Sequence, residues 1–279
     1  MQETAKHLII GKVNMINRYK IYFWFFIILM LPATSQSSEP VELTLSYQIN
    51  PSPPYQMGTG VTVVEPPGIA LDVINAAAKE LNLLIVYKRY PNVRVLHLLE
   101  NNQIDGAFMF SYKAERAKIA RYPLTPEGKL DSTKRLASLS YWLYSLAQAK
   151  LDWDGTNLIG EKGFIVAEHG DSIVSDLKKI GQKVKQPDSA YKALLMLTRR
   201  QQVVGAALQD LKATPYLDRP EFSGIRRSSV PLKTKDYFLV LSNRFVEKHP
   251  DIAEALWQKI EELRDEVSKE SMYRYTSFQ

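Results

Sequence analysis

The chain has 279 residues, 45% apolar, 10% aromatic and 24% charged, with 36 Lys+Arg against 30 Asp+Glu for a formal net charge of +6. This is close to average globular usage and excludes a wholly disordered chain, a collagen-like repeat and a polytopic membrane protein. The length suits one large or two ordinary domains, each able to bury its own core.

The first 35 residues read as an address. Ile21–Leu31 is an unbroken apolar run of eleven, preceded by Arg18 and Lys20 and followed by Pro32 and the small residues Ala33-Thr34-Ser35. A membrane-crossing helix needs ~20 apolar residues, so the run reads as a cleavable secretory signal peptide, with an uncleaved short anchor as the alternative. Met15 is a second candidate start. The mature chain is expected to begin near Gln36, exported across a membrane. Residues 1–35 carry Lys6, Lys12, Arg18 and Lys20 against Glu3, which leaves 32 Lys+Arg and 29 Asp+Glu, a net of +3, for the remaining 244 residues.

Strand and helix signals then alternate. Val41–Tyr47 alternates as a strand and runs into a turn with Pro51, Pro53 and Pro54. Leu71–Leu81 has helical apolar spacing, with Asp72 near its start where the macrodipole favours an anion. Leu84–Tyr87 is a strand, Val93–Leu99 an amphipathic helix and Ile104–Phe110 a buried strand. Pro123–Arg135 is polar and turn-rich. A second unit follows: the strand Leu139–Leu146, the strand Gly163–Ala167, helices Ser172–Ile180 and Ala190–Arg199, and the strand Val203–Leu208. Tyr216–Lys235 is irregular, Tyr237–Leu241 is a strand, and a long helix begins at Pro250. Such alternation argues for βαβ units and a mainly parallel sheet. Two irregular stretches around a central α/β block imply an inserted lobe reached by two crossings, which closes about a hinge.

Familiar catalytic motifs are missing. Cysteine is absent, which removes disulfides, thiolate metal sites and Cys nucleophiles. His7, His97, His169 and His249 are far apart, and His169 beside Gly170 reads as a loop or rim residue. Ser175-Asp-Leu-Lys178 fits SxxK by chance on a helix. Basic residues do not interleave with aromatics, so nucleic-acid binding has no support.

Four blocks together resemble the family 3 extracellular solute-binding proteins, which deliver polar amino acids to ABC transporters. They are Pro53-Pro54-Tyr55; Gly68-Ile-Ala-Leu-Asp72-Val-Ile; Leu98 to Asp105 followed by Glu115-Arg116; and Gly205-Ala-Ala-Leu-Gln-Asp210. The resemblance implies an α/β fold of the two-lobed periplasmic-binding-protein type II, with residues 36–138 and 230–279 as lobe one and 139–229 as lobe two. It implies a monomeric periplasmic protein that captures a small polar solute, an amino acid, and presents the closed form to an inner-membrane ABC permease. No cofactor, metal or catalytic residue is implied.

An amino acid needs a cation for its carboxylate and an anion for its ammonium. Arg116 matches the family's carboxylate-binding arginine, where composition alone would read a solvated arginine on a charged helix. Asp210 matches the ammonium-binding aspartate, or serves as an N-cap. Ser172, in the Gly170-Asp-Ser loop at a helix N-terminus, suits an anion or caps the helix. Asp171 beside it would repel an anion unless it points outward. Ser111 is a further candidate for the same clasp. Ser52 stands where the family often has a stacking Tyr, leaving Tyr55, Tyr90, Tyr112 or Trp142 to stack on a ligand or simply to pack. Met109 and Phe110 replace small polar residues and narrow the pocket. Two other uses of the fold stay open: a ligand-sensing partner of a membrane receptor, and an enzyme resembling periplasmic cyclohexadienyl dehydratases, with Glu115, Glu168 or Asp171 as acids.

Overall fold

The computed structural model describes residues 39–276. Residues Pro40–Gln279 form one compact unit, and the expected signal peptide falls outside the described residues. β1 (Val41–Gln48), β2 (Leu83–Tyr90) and β3 (Gly106–Ser111) pair in parallel, connected by α1 (Ile69–Glu80) and α2 (Asn92–Glu100). The short β4 (Ala120–Arg121) precedes the long strand β5 (Ala137–Leu146). A hairpin of β6 (Leu151–Trp153) and β7 (Leu158–Gly160) follows. Then come β8 (Phe164–Val166), α3 (Ile173–Lys179), β9 (Val184–Lys185), α4 (Ala190–Arg199), β10 (Val203–Gln209) and α5 (Asp210–Leu217). The chain returns through β11 (Ile225–Arg227) and β12 (Lys233–Ser242) to α6 (Asn243–Lys248) and α7 (Pro250–Thr276).

The main sheet runs β2-β1-β3-β12-β5-β10-β8-β9. Its outer parts are parallel, as the βαβ spacing predicts. Its centre is not: β12 is antiparallel to both β3 and β5, and β10 is antiparallel to β5. The sheet is therefore mixed, because the two long strands that pass between its halves run in opposite directions.

Each half buries its own apolar faces. α1 packs against α7 over Leu43, Leu45 and Phe108. The face of α7 that enters this core is Ala253, Leu256, Trp257 and Ile260, one helical stripe, and the Trp257 indole donates to the Leu239 carbonyl at 2.8 Å. On the far side α4 seats Ala193, Leu194 and Leu197 against Val203, Ala206 and Leu208 of β10.

Several elements arise inside stretches without apolar periodicity. The β6–β7 hairpin is turned by Asp154, whose carboxylate accepts from the Thr156 and Asn157 amides at 2.7 Å. α5 carries Pro215 within it, and β11 and the start of β12 lie in the Pro-rich stretch 216–235.

Gly68 opens α1 and shows why the Gly68–Asp72 block has its form. Its φ is +121°, and a Cβ there would lie 2.4 Å from the Tyr55 carbonyl oxygen. Its amide donates to the Tyr275 hydroxyl at 2.8 Å, which in turn donates to Asp72 at 2.8 Å. Gly68→Ala is expected to cost ~2–4 kcal/mol in urea unfolding, from strain and clash together. A loss no greater than an ordinary exposed substitution, under ~0.5 kcal/mol, would show that the turn yields.

Candidate ligand cavity

A polar cavity lies at the carboxyl ends of the parallel strands, where open α/β sheets present ligands. Gln48 ends β1, Ser111 ends β3 and Gln209 ends β10, while Asp171 and Ser172 follow β8. Tyr141 of β5 and Tyr237 of β12 form its wall between the halves. Met109 and Phe110 also line it. Met109 has φ +61° and sits at a bulge, where Phe238 pairs with Phe110 and Leu239 with Phe108. The extra residue re-aims the strand end at the cavity.

Arg116 enters from the short turn after β3 and is 9% exposed. Its guanidinium donates to the Ser111 carbonyl at 3.0 Å, the Ser111 hydroxyl at 3.3 Å and the Gly170 carbonyl at 3.1 Å. The Phe110 ring lies 5.3 Å beneath it. Among the described residues no carboxylate forms an ion pair with it.

Two members of a buried triad, Asp171 and Lys212, line the same cavity. The Lys212 ammonium lies 2.9 Å from Glu168 and 3.1 Å from Asp171. Asn50 donates to Glu168 at 2.7 Å and to the Asp188 carbonyl at 2.7 Å. Burial raises the Glu168 carboxyl above its ordinary range, with Lys212 acting against the shift and Asp171 adding to it. Burial also opposes the Lys212 charge, but Asp171 and Glu168 outweigh it and hold that group above the ordinary lysine value. Two carboxylates thus share one ammonium.

The wall is a tyrosine pair. Gln209 donates to Tyr237 at 2.5 Å and to Tyr141 at 3.3 Å, and the two hydroxyls are 3.1 Å apart. Burial, then the Asp171 charge, pushes Tyr237 up to about 12 and raises Tyr141 as well. Lys113 is pushed down to about 8 by burial and by the charges of Arg116 and Lys235. It contacts Ser175. Lys235 donates to Ser172 at 2.9 Å and pairs with Asp176.

The cavity brings together Arg116, Ser111 and Ser172. It does not include Asp210, which begins α5 one residue beyond Gln209. Neighbouring side chains at a strand end point to opposite faces, so Gln209 faces the cavity and Asp210 turns away. Its carboxylate accepts from Tyr144 and from Arg227, both at 2.8 Å. Tyr55 packs on the apolar cores beside the cavity. Tyr112 is 45% exposed, Tyr90 lies under Arg94 and Trp142 under Arg227. Ser172 stands at the start of α3 without its side chain capping it. Asp171, expected to repel an anion unless turned outward, points inward and is neutralised by Lys212. Glu115 is exposed.

Sequence reasoning missed Lys212, Gln209 and Gln56, and named Ser52 only as the residue standing in place of a stacking Tyr. The signal for Lys212 was its spacing: it follows Gln209 by three residues, which puts both on one side of the strand-to-helix turn. Ser52 and Gln56 line the cavity while bridging backbone to backbone across the proline turn. The Ser52 hydroxyl and the Gln56 amide nitrogen are buried with no hydrogen-bond partner. Buried polar atoms are nearly always paired, and both groups can donate to a polar molecule in the cavity.

As it stands the space measures about 20 Å³, room for about one water molecule. Arg116 to Gly170, Asn50 to Glu168 and Lys113 to Ser175 draw its two sides together. Among the described residues no cluster of ligating side chains suits a metal, and no helix is long and apolar enough to cross a membrane.

No family model and no curated protein matches the chain. Solved structures do. The ligand-binding core of GluR0 from Nostoc punctiforme, in complex with L-glutamate, superposes with a TM-score of 0.62 at 14% identity, covering 84% of this chain and 98% of that one. A histidine kinase sensor domain with similarity to periplasmic binding proteins gives 0.64 at 11%, covering 85% and 96%. The arginine-bound form of truncated ArgBP from T. maritima gives 0.57 at 16%, covering 80% and 96%. The chain has the two-lobed periplasmic-binding-protein fold.

Proposed function

We propose that the protein is a periplasmic solute-binding protein that closes its lobes around a small zwitterion, an amino acid. The observation that carries this reading is the charge arrangement in the cavity. Among the described residues Arg116 is a buried cation with no carboxylate partner, and in the same cavity Asp171 shares the single ammonium of Lys212 with the buried Glu168. A carboxylate completes the first and an ammonium the second, so Asp171 takes the amine-receiving role that the resemblance gave to Asp210. Ser52, Gln56, Ser111 and Ser172 supply the neutral hydrogen bonds.

The lobes in this reading are residues 36–138 with 230–279, and 139–229, hinged on β5 and β12. Three of the four apolar cores support that division, since each draws its residues from one side of it. The remaining core takes Ala137 and Tyr237 from the two crossing strands. Delivery of the closed form to an inner-membrane ABC permease is the expected use. The fold shared with a histidine kinase sensor domain favours a second use, in which a membrane receptor reads closure. Loss of amino-acid uptake on deleting the gene supports the first use, and unchanged uptake with a lost response supports the second.

Titration calorimetry tests the ligand class. Each amino acid is compared with its 2-hydroxy acid, which lacks the ammonium, and its decarboxylated amine. The intact zwitterion is expected to bind at least about tenfold more tightly than either, since a charge-assisted bond contributes ~1.5–3 kcal/mol. In Asp171→Asn that preference over the hydroxy acid is expected to vanish. Equal affinity for acid and amino acid in the parent protein sinks the zwitterion reading.

A further inference from the structure

Residues 139–229 hold 13 Lys+Arg against 10 Asp+Glu, so they account for the whole net charge of +3 carried by residues 36–279. The topology concentrates part of this at one end. β8, β9 and β10 are in one parallel set, so their N-terminal ends lie together, opposite the cavity. α3 and α4 run back from the cavity end and finish there. Lys162 precedes β8, Lys183 precedes β9, Lys178 lies in the last turn of α3, and Arg199 and Arg200 close α4. All five are exposed, and among the described residues none forms an ion pair.

Hydrogen bonds hold these ends in register. The Phe164 amide donates to Gln202 at 2.8 Å, the Ile165 amide to Lys183 at 2.9 Å and the Val203 amide to Arg200 at 2.9 Å. The Gln182 side chain donates to the Gly163 carbonyl at 2.7 Å. Ile180, 60% exposed, shares its surroundings with Lys162 and Lys183, and Ile159, 53% exposed, lies three residues before Lys162. Beside Ile180 opens a groove of about 700 Å³, lined also by Leu151, Phe164 and Val204 and by Lys162 and Lys183. Among its lining residues Glu161 is the one acid.

We propose that this basic end docks on an anionic lipid bilayer, with the cations on headgroup phosphates and Ile180 and Ile159 entering the interface. The pairing of charges with bare isoleucines selects a lipid surface over a soluble polyanion, which would use the cations and gain nothing from the apolar groups. Basic residues near an anionic bilayer each add to binding within a Debye length, and the apolar contacts add a salt-insensitive part. The cavity, at the opposite end of the same strands, stays free.

Cosedimentation of the Pro40–Gln279 unit with vesicles tests this, since that unit lacks the apolar run Ile21–Leu31. It is expected to sediment with equal parts phosphatidylcholine and phosphatidylglycerol, less so as salt rises, and weakly with phosphatidylcholine alone. Replacing Lys178, Lys183 and Arg200 together by Gln should lower partitioning roughly a hundredfold. Ile180→Ser with Ile159→Ser should lower it roughly tenfold while keeping the salt dependence. All of these are surface changes, and melts followed by circular dichroism should match the parent. Equal sedimentation with both vesicle types, or a triple variant that binds like the parent, overturns the proposal. Retention on heparin without vesicle binding also overturns it, in favour of a soluble polyanion.

Discussion

Arg116→Ala is expected to abolish solute binding, with a fall in affinity of about 10²- to 10⁴-fold, as two charge-assisted bonds at ~1.5–3 kcal/mol each are lost. The same guanidinium spans the gap to Gly170, so the variant loses ligand contact and closure together. Arg116→Lys separates the two. It keeps the positive charge but cannot reach Ser111 and Gly170 at once through a planar fork. Its affinity should fall between parent and alanine variant, by about tenfold or more. Calorimetry on the best amino-acid ligand measures both. An alanine variant that binds within threefold of the parent, or about 0.7 kcal/mol, removes Arg116 from the site.

Lys212→Met is expected to destabilise the fold by ~3–5 kcal/mol, because it leaves two buried carboxylates without their cation. Urea unfolding measures the loss. Adding Glu168→Gln and Asp171→Asn to that variant should restore most of the stability, since the triad is then neutral throughout. The pH dependence gives a separate reading. Glu168 has a higher pKa in the folded chain than its ordinary value, so the folded state holds its proton more tightly. Its contribution to stability therefore falls as pH rises from about 4.3 through the raised folded value. Lys212 works against that rise, so its removal steepens the decline. The stability gap between parent and variant should widen as pH rises above the ordinary glutamate value. Lys212 itself, raised in the folded state, keeps its full contribution there and loses it only in strong alkali. A gap that stays flat across this window shows that Lys212 is not the counter-ion of Glu168.

Elements with a long apolar stripe were legible in the sequence, and elements held by single contacts were not. α1 and α4 follow helical spacing because one face of each enters a core. The β6–β7 hairpin has strands of three residues each, too short for a period to register, and depends on the Asp154 turn. The antiparallel centre was hidden for another reason. Strand direction within a sheet depends on where a crossing lands, and β5 and β12 meet across about ninety intervening residues.

The site divides along similar lines. Arg116 is placed by motif order, Ser172 by its loop at a helix N-terminus, and Ser111 lines the same cavity. Asp210 shows the limit of that method: one step along the chain at a strand end exchanges the face of the sheet, and Gln209 takes the inward place. Lys212 is harder still to foresee, since a buried lysine makes sense only once Glu168 and Asp171 are beside it. They come from the loop after β8, over forty residues earlier.

The cavity is drawn shut by Arg116 on the Gly170 carbonyl, Asn50 on Glu168 and Asp188, and Lys113 on Ser175. In the proposed reading, a solute carboxylate competes with the Ser111 and Gly170 carbonyls for Arg116, so the measured affinity would be a difference between two sets of bonds rather than the strength of one. In the same reading, a protein that also held this shape without its solute would give its membrane partner a basal stimulus. If that partner responded to shape alone, an importer would spend ATP on empty carriers and a receptor would fire without its signal. Faithful output would then require the partner to sense what solute entry changes inside the cavity, and a release of Arg116 from the Gly170 carbonyl would be such a change.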